Sequence, residues 1–378
     1  MLPKIMIVGG VANSLLNFRG DLIDEWLSMG YEVVALAAQA TDDVREKLFT
    51  KGINYKAIPL ERDGINPFKD IKALYRIYSI IKMENPSYLF SYTVKPVIYA
   101  STAARFFPQT KVCSMITGLG YAFSGKSVKQ NVLSKIIRLF YRYALQKNDV
   151  ILFQNPDDLN LFKELELISK DQKTVLVNGS GVNIKHFYFS KTKEQGNYVF
   201  LLIARMLKSK GIADFVQAAE LIKSKYEQVS FKLLGPLSGG PDGIDRSLLE
   251  SWTDKGLVEY LGRTSDVRPY IEDCSVYVLP SYREGMPRSV LEAMSMGRPI
   301  ISTDAPGCRE TVEEGVNGFL VPVRDSKALA GAMERFIEKP ELIKKMGEES
   351  RRIAEEKFDV RKVNKIIVEA MGLAQSSL

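Results

Sequence analysis

Short apolar runs rich in β-branched residues alternate with stretches of helical periodicity from one end of the chain to the other, the pattern of parallel sheets covered by helices. Seven runs come first: KIMIVGG, YEVVALA, NYKAIPL, SYLFSY, KVCSMIT, DVILFQN and KTVLVNG. Six more follow: YVFLLIAR, SFKLLG, LVEYLG, SVYVLP, PIISTD and GFLVPV. Helical segments such as NFRGDLIDEWLSMG lie between them, this one closed by Gly30 where a helix C-terminus favours glycine. The polar, irregular stretch NIKHFYFSKTKEQGN (183–197) separates the two series. The pattern predicts an α/β protein with two doubly wound parallel-sheet domains, 1–185 and 198–378, the second ending in charged amphipathic helices. A linker over 186–197 joins them, and the stretch 183–197 is the expected hinge. Ligands of such sheets bind beyond the carboxyl ends of the strands, so the two domains are expected to face a central cleft lined by strand-following loops.

Composition agrees: 378 residues, 46% hydrophobic, exceed what one core usually supports. There is no run of about 18 apolar residues, and the N-terminal residues enter a strand pattern directly, so a cytoplasmic protein is expected. Cys113, Cys274 and Cys308 are far apart and unpaired in spacing, which argues against a disulfide framework or zinc site. His186 is the only histidine, which excludes a multi-histidine metal site.

Charge adds an asymmetry. Residues 1–196 carry 26 Lys+Arg against 18 Asp+Glu, whereas residues 197–378 carry 26 against 27. No acidic residue lies between Glu84 and Asp149, a span with nine cations. Within it, SVKQNVLSKIIRLFYRYALQK (127–147) places Val132, Ile136, Phe140 and Tyr143 at helical spacing, with Lys135, Arg138 and Arg142 on another side. Such a basic amphipathic helix can lie on an anionic membrane, and an ordinary packed helix with solvated lysines is the other reading. No nucleic-acid partner is expected.

Several strand-following loops carry candidate chemistry. Gly9 and Gly10, with Asn13, Ser14 and Asn17 nearby, form a glycine turn into the first helix, which favours an anion or serves simply as a tight turn. GYAFSGKS (120–127) matches a phosphate-binding loop letter for letter, but its position on a late strand argues against a triphosphatase. After YVFLLIAR, Arg205 and Lys210 stand five residues apart at the entry of a helix, a clamp for a pyrophosphate. No D-x-D triplet is present to hold a metal on a nucleotide, so these cations would neutralise its charge.

After SVYVLPSY comes REGMPRSVLE (283–292). Ser289 and Glu292 fit a capping box, a sufficient local reason for Glu292. The same helix start would offer the Val290 and Leu291 amides to phosphate oxygens and leave Glu292 able to accept from a ribose diol. Glu284 stands in a turn with Gly285 and Met286, where it could accept from sugar hydroxyls and balance positive charge growing at an anomeric carbon.

The spacing of Glu284 and Glu292 resembles the E-x7-E signature of retaining GT-B glycosyltransferases, and the block LPSYREGMPRSVLEAMSMGRPIISTDAPGCRETVEEGVNGFLV (279–321) resembles glycosyltransferase family 4. The likeness extends through NFRGDLIDEWLSMGYEV, YTVKPVIYASTAARF, ITGLGYAFSG, FQNPDDLNLF, NGSGVNIKHF, ARMLKSKGI and VEYLGRTSDVRPYI. The first-domain motifs are most similar to the PglA-type subgroup, which acts on sugars carried by polyprenyl diphosphate. That resemblance implies two Rossmann-like domains of the GT-B fold, an N-acetylhexosamine (GalNAc or GlcNAc) donated by UDP, a polyprenyl-diphosphate-linked acceptor and no metal or other cofactor. It implies a location on the inner face of the cell membrane.

By the same resemblance Glu284, Arg205 and Lys210 would be catalytic, Glu284 on the donor hexose and the cations on the diphosphate. Gly285, Met286, Pro287, Ser289, Val290, Leu291 and Glu292 would line the donor, Glu292 at the ribose, with Gly262 and Arg263 near the base. Gly9, Gly10, Asn17, Arg19, Lys95, Thr117 and Gly118 would contact substrate from the first domain. Many members of the wider family carry a histidine beside the reacting sugar, whereas this chain reads MITGLG there, so an imidazole role does not transfer. An amino-sugar epimerase on the same fold and a non-catalytic nucleotide-sugar binder are the competing readings.

Overall fold

The computed structural model describes residues 3–60, 66–118, 128–192 and 196–374. Each of the thirteen apolar runs contains one strand, and every strand pairing is parallel. The first sheet comprises β1 (Lys4–Val8), β2 (Glu32–Ala37), β3 (Asn54–Ala57), β4 (Tyr88–Tyr92), β5 (Lys111–Ile116), β6 (Val150–Phe153) and β7 (Thr174–Leu176) in the order β3-β2-β1-β4-β5-β6-β7. The second comprises β8 (Tyr198–Ile203), β9 (Val229–Leu234), β10 (Glu259–Tyr260), β11 (Val276–Leu279), β12 (Ile300–Thr303) and β13 (Gly318–Val321) in the order β10-β9-β8-β11-β12-β13. These strands are continuous apolar runs because helices cover both faces of a parallel sheet.

In each sheet the strand order reverses once, between β1 and β4 in the first and between β8 and β11 in the second. The loops leaving those strands diverge to opposite faces and open a crevice at their carboxyl ends.

One face of the first sheet is covered by α1 (Asn13–Asn17), α2 (Gly20–Ser28) and α3 (Asp42–Thr50), with Trp26 in their core. On the other, α4 (Pro67–Glu84), α5 (Val94–Ala104) and α6 (Val128–Leu145) pack side by side, and α7 (Pro156–Glu164) completes the layer. The second sheet carries α8 (Ile212–Lys223), α9 (Arg246–Asp254), α10 (Arg268–Asp273), α11 (Arg288–Ser295), α12 (Ser326–Glu338) and α13 (Glu341–Ile353). The chain ends with α14 (Val360–Met371).

The structure divides the chain differently from the sequence reading. One compact unit is residues 1–180 with 361–378, and the other is residues 181–360. The last helix leaves the second series because Val363, Ile367 and Met371 of α14 complete the core around Trp26. The expected hinge segment is instead held on the second unit. Arg298, fully buried, donates to the Ser190 carbonyl (2.8 Å) and to the Ile271 carbonyl (2.8 Å). Arg351 donates to the carbonyls of Phe187 (3.1 Å) and Ser295 (2.7 Å). Backbone carbonyls are the acceptors, and they have no sequence signature.

Candidate active site

The second sheet's crevice is built by three loops. Ala204 and Arg205 follow β8, a 3-10 turn over Lys208–Lys210 comes next, and Gly211 starts α8. Gly211 is left-handed (φ 69°), and a Cβ there would lie 2.1 Å from the Pro280 carbonyl oxygen, so only glycine lets this turn press on the end of β11. The loop after β11 is tied to the same turn: the Tyr282 amide and the Ser281 hydroxyl both donate to the Ser209 carbonyl, at 2.9 and 3.2 Å.

This stitching brings Lys210 and Glu284 into an ion pair, although 74 residues separate them. The two side chains retain 20% and 14% of their exposure, enough for a ligand to reach them and too little for water to screen them fully. The Glu284 backbone is set from a third direction. Its amide donates to the Pro306 carbonyl (2.9 Å), and Gly307 (φ 78°) lies so close that a Cβ would meet the Glu284 carbonyl oxygen at 2.2 Å. The Pro306–Gly307 turn therefore positions Glu284.

Sequence reasoning also missed Tyr282 and Asp214. The Tyr282 hydroxyl donates to Asp214 Oδ2 in α8 (2.8 Å), and the Arg324 guanidinium stacks 4.3 Å from the Tyr282 ring centre. Burial holds the Asp214 carboxyl above its ordinary range, with the Tyr282 bond opposing that rise. Burial, then the Asp214 carboxylate, push the Tyr282 hydroxyl up to about 12. No motif announces this contact. Tyr282→Phe is expected to destabilise the protein by about 1–3 kcal/mol, because it removes a donor from a buried carboxylate. A denaturant midpoint equal to wild type would show that the bond contributes nothing.

The helix start at α11 departs from expectation. Its N-cap is Pro287 with no side-chain cap, so Ser289 lies inside the helix and donates its hydroxyl to the Ile203 carbonyl at the end of β8 (3.1 Å). Glu292 pairs with Arg288 one turn earlier (2.9 Å) instead of returning to the Ser289 amide, and no capping box forms. Burial raises the Glu292 carboxyl, partly offset by Arg288. The Val290 and Leu291 amides both donate to the Pro287 carbonyl, at 3.0 and 3.3 Å, and are not turned outward as a ready phosphate seat. Pro287 causes this: it adopts φ −76° and ψ 103°, and its carbonyl begins the helix two residues before the expected start.

Of the other candidates in this unit, Gly285 and Pro287 are buried, and Met286 packs against the core below the loop. Gly262 (φ 70°) accepts from the Gly235 amide (2.7 Å), with Arg263 exposed beside it. Both follow β10, at the sheet edge two strands from the switch point.

In the first unit Gly9 and Gly10 stand at the switch point after β1. A Cβ at Gly9 would lie 2.3 Å from the Tyr92 hydroxyl, which is itself bonded to Ser14 Oγ (2.6 Å). Thr93, next in the chain, has φ 70° and ψ 160°, a conformation that costs a non-glycine residue about 1–3 kcal/mol and tends to mark functional loops. Arg19 is buried under Tyr92 (4.9 Å to the ring centre) and donates to Met115 Sδ (2.9 Å). Lys95 is paired with Asp70 (2.8 Å). Asn17 is exposed, and Thr117 and Gly118 follow β5. Helix α1 has five residues, too short for a strong dipole at Gly9–Gly10. The GYAFSGKS stretch lies outside the described residues. Among the described residues no group of three or more His, Cys, Asp or Glu could hold a metal.

Two family comparisons cover most of the chain. Residues 197–339 match the Glycosyl transferases group 1 family and residues 10–155 the Glycosyl transferase 4-like family. An uncharacterized glycosyltransferase of Haemophilus influenzae is 30% identical over 98% of both chains. The N,N'-diacetylbacillosaminyl-diphospho-undecaprenol alpha-1,3-N-acetylgalactosaminyltransferase of Campylobacter jejuni is 26% identical over 90% of both chains. The HepE structure from Anabaena, in complex with UDP and glucose, superposes with a TM-score of 0.77 at 18% identity, covering 98% of this chain and 99% of that one, which places this chain in the GT-B fold. With its matches in both halves and a full-length relative at this identity, the chain belongs to the glycosyltransferases of group 1, family 4 type.

Proposed function

We propose that the enzyme transfers an N-acetylhexosamine from a UDP-sugar to a sugar carried on polyprenyl diphosphate, with retention of anomeric configuration and without a metal. The observation that carries this reading is the half-buried Lys210–Glu284 pair at the switch point of the second sheet. One carboxylate and one ammonium held together, with Arg205 leaving the same strand, suit a sugar nucleotide: cations for the diphosphate, the carboxylate for the hexose. The relative from Campylobacter, which by its name moves N-acetylgalactosamine onto a diphospho-undecaprenol-linked sugar, supports the donor and acceptor classes.

In this mechanism the bond between the anomeric carbon and the diphosphate oxygen breaks first, with Lys210 and Arg205 stabilising the departing charge. Glu284 balances the positive charge spreading over the ring oxygen and anomeric carbon. The acceptor oxygen bonds to the same face of that carbon, and its proton passes to the leaving phosphate oxygen. Glu292 is taken up by Arg288, so it is not a second nucleophilic carboxylate, and the reaction needs none.

The proposed acceptor lies on a membrane, and α6 supports that location. Its core side is Tyr141, Ala144 and Leu145, while Ile136, Phe140 and Tyr143 of the face noted in the sequence stay exposed beside Lys135 and Arg142. Among the described residues no helix is long and apolar enough to cross a membrane. We infer a peripheral attachment to the inner, anionic leaflet.

Incubation with radiolabelled UDP-GalNAc or UDP-GlcNAc and a polyprenyl diphosphosugar tests the reading. Acceptor-dependent UDP release and a labelled lipid with the donor's anomeric configuration are expected, at a rate unchanged by EDTA. Release of an epimer without acceptor, or loss of turnover in EDTA, would overturn it.

A further inference from the structure

The turn over Lys208–Lys210 is held from outside by the loop that leaves β9, residues 235–245. A short 3-10 turn leaves its first amides without partners inside it, and here a single residue supplies them. The Lys208 amide donates to the Asp242 carbonyl (2.7 Å), and the Ser209 amide donates to Asp242 Oδ1 (3.1 Å). The Ser209 hydroxyl donates to Asp242 Oδ2, so Ser209 engages both carboxylate oxygens. Hydrogen bonds to an ionised acceptor are roughly twice as strong as neutral ones, and two of them on one residue fix its orientation as well as its place.

Asp242 is itself anchored on both sides. Before it, the Pro236 carbonyl accepts from the Met206 amide (3.0 Å); after it, the Ile244 amide donates to the Met206 carbonyl (3.0 Å), and Ile244 is buried in the core. Gly243 passes so close to the Ser238 carbonyl oxygen that a Cβ would lie 2.1 Å from it. Ser209 is in turn where the two halves of the site meet. It precedes Lys210, and its carbonyl accepts from Ser281 and Tyr282, just ahead of Glu284. A continuous path therefore runs from Asp242 through Ser209 to both members of the Lys210–Glu284 pair. Asp242 and Ser209 are only half-buried, whereas Ile212 and Phe215 of α8 are fully buried and secure that helix by their own packing. Folding of this unit does not depend on the carboxylate; the placement of Lys210 and Glu284 does.

We propose that Asp242 is a positioning residue of the reaction, setting through Ser209 the register between the turn that carries Lys210 and the loop that carries Glu284. The inference rests on the role given to that pair above and adds a residue outside it. Asp242 acts on no substrate atom, since Ser209 takes both of its oxygens. Its contribution is precision: a displacement of about 1 Å in a group that meets the reacting atoms can cost about a hundredfold in rate.

UDP release from UDP-GalNAc and from UDP-GlcNAc, with a polyprenyl diphosphosugar acceptor, tests this in the full chain, each variant being checked by a thermal melt. Asp242→Ala is expected to lower kcat by about thirtyfold, and Asp242→Asn to restore most of it, because the amide oxygen still accepts from the Ser209 amide. Placed on a Glu284→Gln background, Asp242→Ala should cost less than about fivefold, since residues that act through one another are not additive. Wild-type kcat in Asp242→Ala, a loss that only follows the melting temperature, or the same loss on both backgrounds would overturn the inference while leaving the transferase reading in place. If Asp242→Ala does not fold, Ser209→Ala takes its place: it removes the hydroxyl bond alone and should lower kcat by about fivefold, and an unchanged kcat would overturn the inference. Absence of UDP release by the wild type from either sugar would overturn the transferase reading and this inference with it.

Discussion

Replacing Arg205 and Lys210 together with methionine is expected to lower kcat by about a thousandfold, close to 4 kcal/mol of transition-state stabilisation. In the proposed mechanism a full negative charge collects on the leaving diphosphate as its bond to the anomeric carbon breaks, and Arg205 and Lys210 follow β8 at the switch point of the second sheet. Removing one fixed donor from such a site typically costs about a hundredfold to a thousandfold, and two donors on one leaving group lose less than the sum. Stability should change little by comparison. The Lys210–Glu284 pair keeps 20% and 14% of its side-chain exposure, so its loss, discounted for solvent screening, costs about 1 kcal/mol. Steady-state rates with saturating acceptor, read beside a thermal melt, separate the two effects. Wild-type turnover in the folded double variant would mean that the leaving charge is carried elsewhere.

Glu284→Gln should lower kcat by about a hundredfold or more while leaving UDP affinity intact or improved. The amide preserves the shape and can still accept from Lys210, but it cannot balance the charge of an oxocarbenium-like sugar. Weakening the pair also frees Lys210 for the diphosphate, so binding of UDP alone, measured by calorimetry, should not suffer. A purely structural role makes a different pattern: activity would fall only as far as the melting temperature and UDP affinity fall with it. Two elements hold this loop, the Ser209 carbonyl through Ser281 and Tyr282 and the Pro306–Gly307 turn through the Glu284 backbone, so the glutamine variant should hold its place.

The residues of the site differ in how far they could be read in advance. Arg205, Lys210 and Glu284 stand out as candidates in the sequence because loops after the carboxyl ends of strands carry ligands in doubly wound sheets, while the pairing of Lys210 with Glu284 across 74 residues has no local signature. Glu292 was legible as a residue of interest but not in its contact, because Arg288 at i−4 and Ser289 at i−3 compete for it and only the helix start decides. Arg19 and Lys95 looked available as cations, yet one is buried under Tyr92 and the other meets Asp70. Tyr282 and Asp214 were invisible, being a single hydrogen bond between residues 68 apart.

Strand number, strand type and the class of each layer followed from the chain alone, because a parallel sheet buried on both faces demands uninterrupted apolar runs and each run records its own burial. The division into units was decided by tertiary structure: α14 joins the first core through Val363 and Ile367, and the buried Arg298 and the partly buried Arg351 bind the supposed hinge to the second unit. Periodicity reports which face of a helix is apolar, not which of two cores that face will enter. It is equally silent on the backbone acceptors that a buried arginine will find, because long-range packing leaves no trace in local sequence.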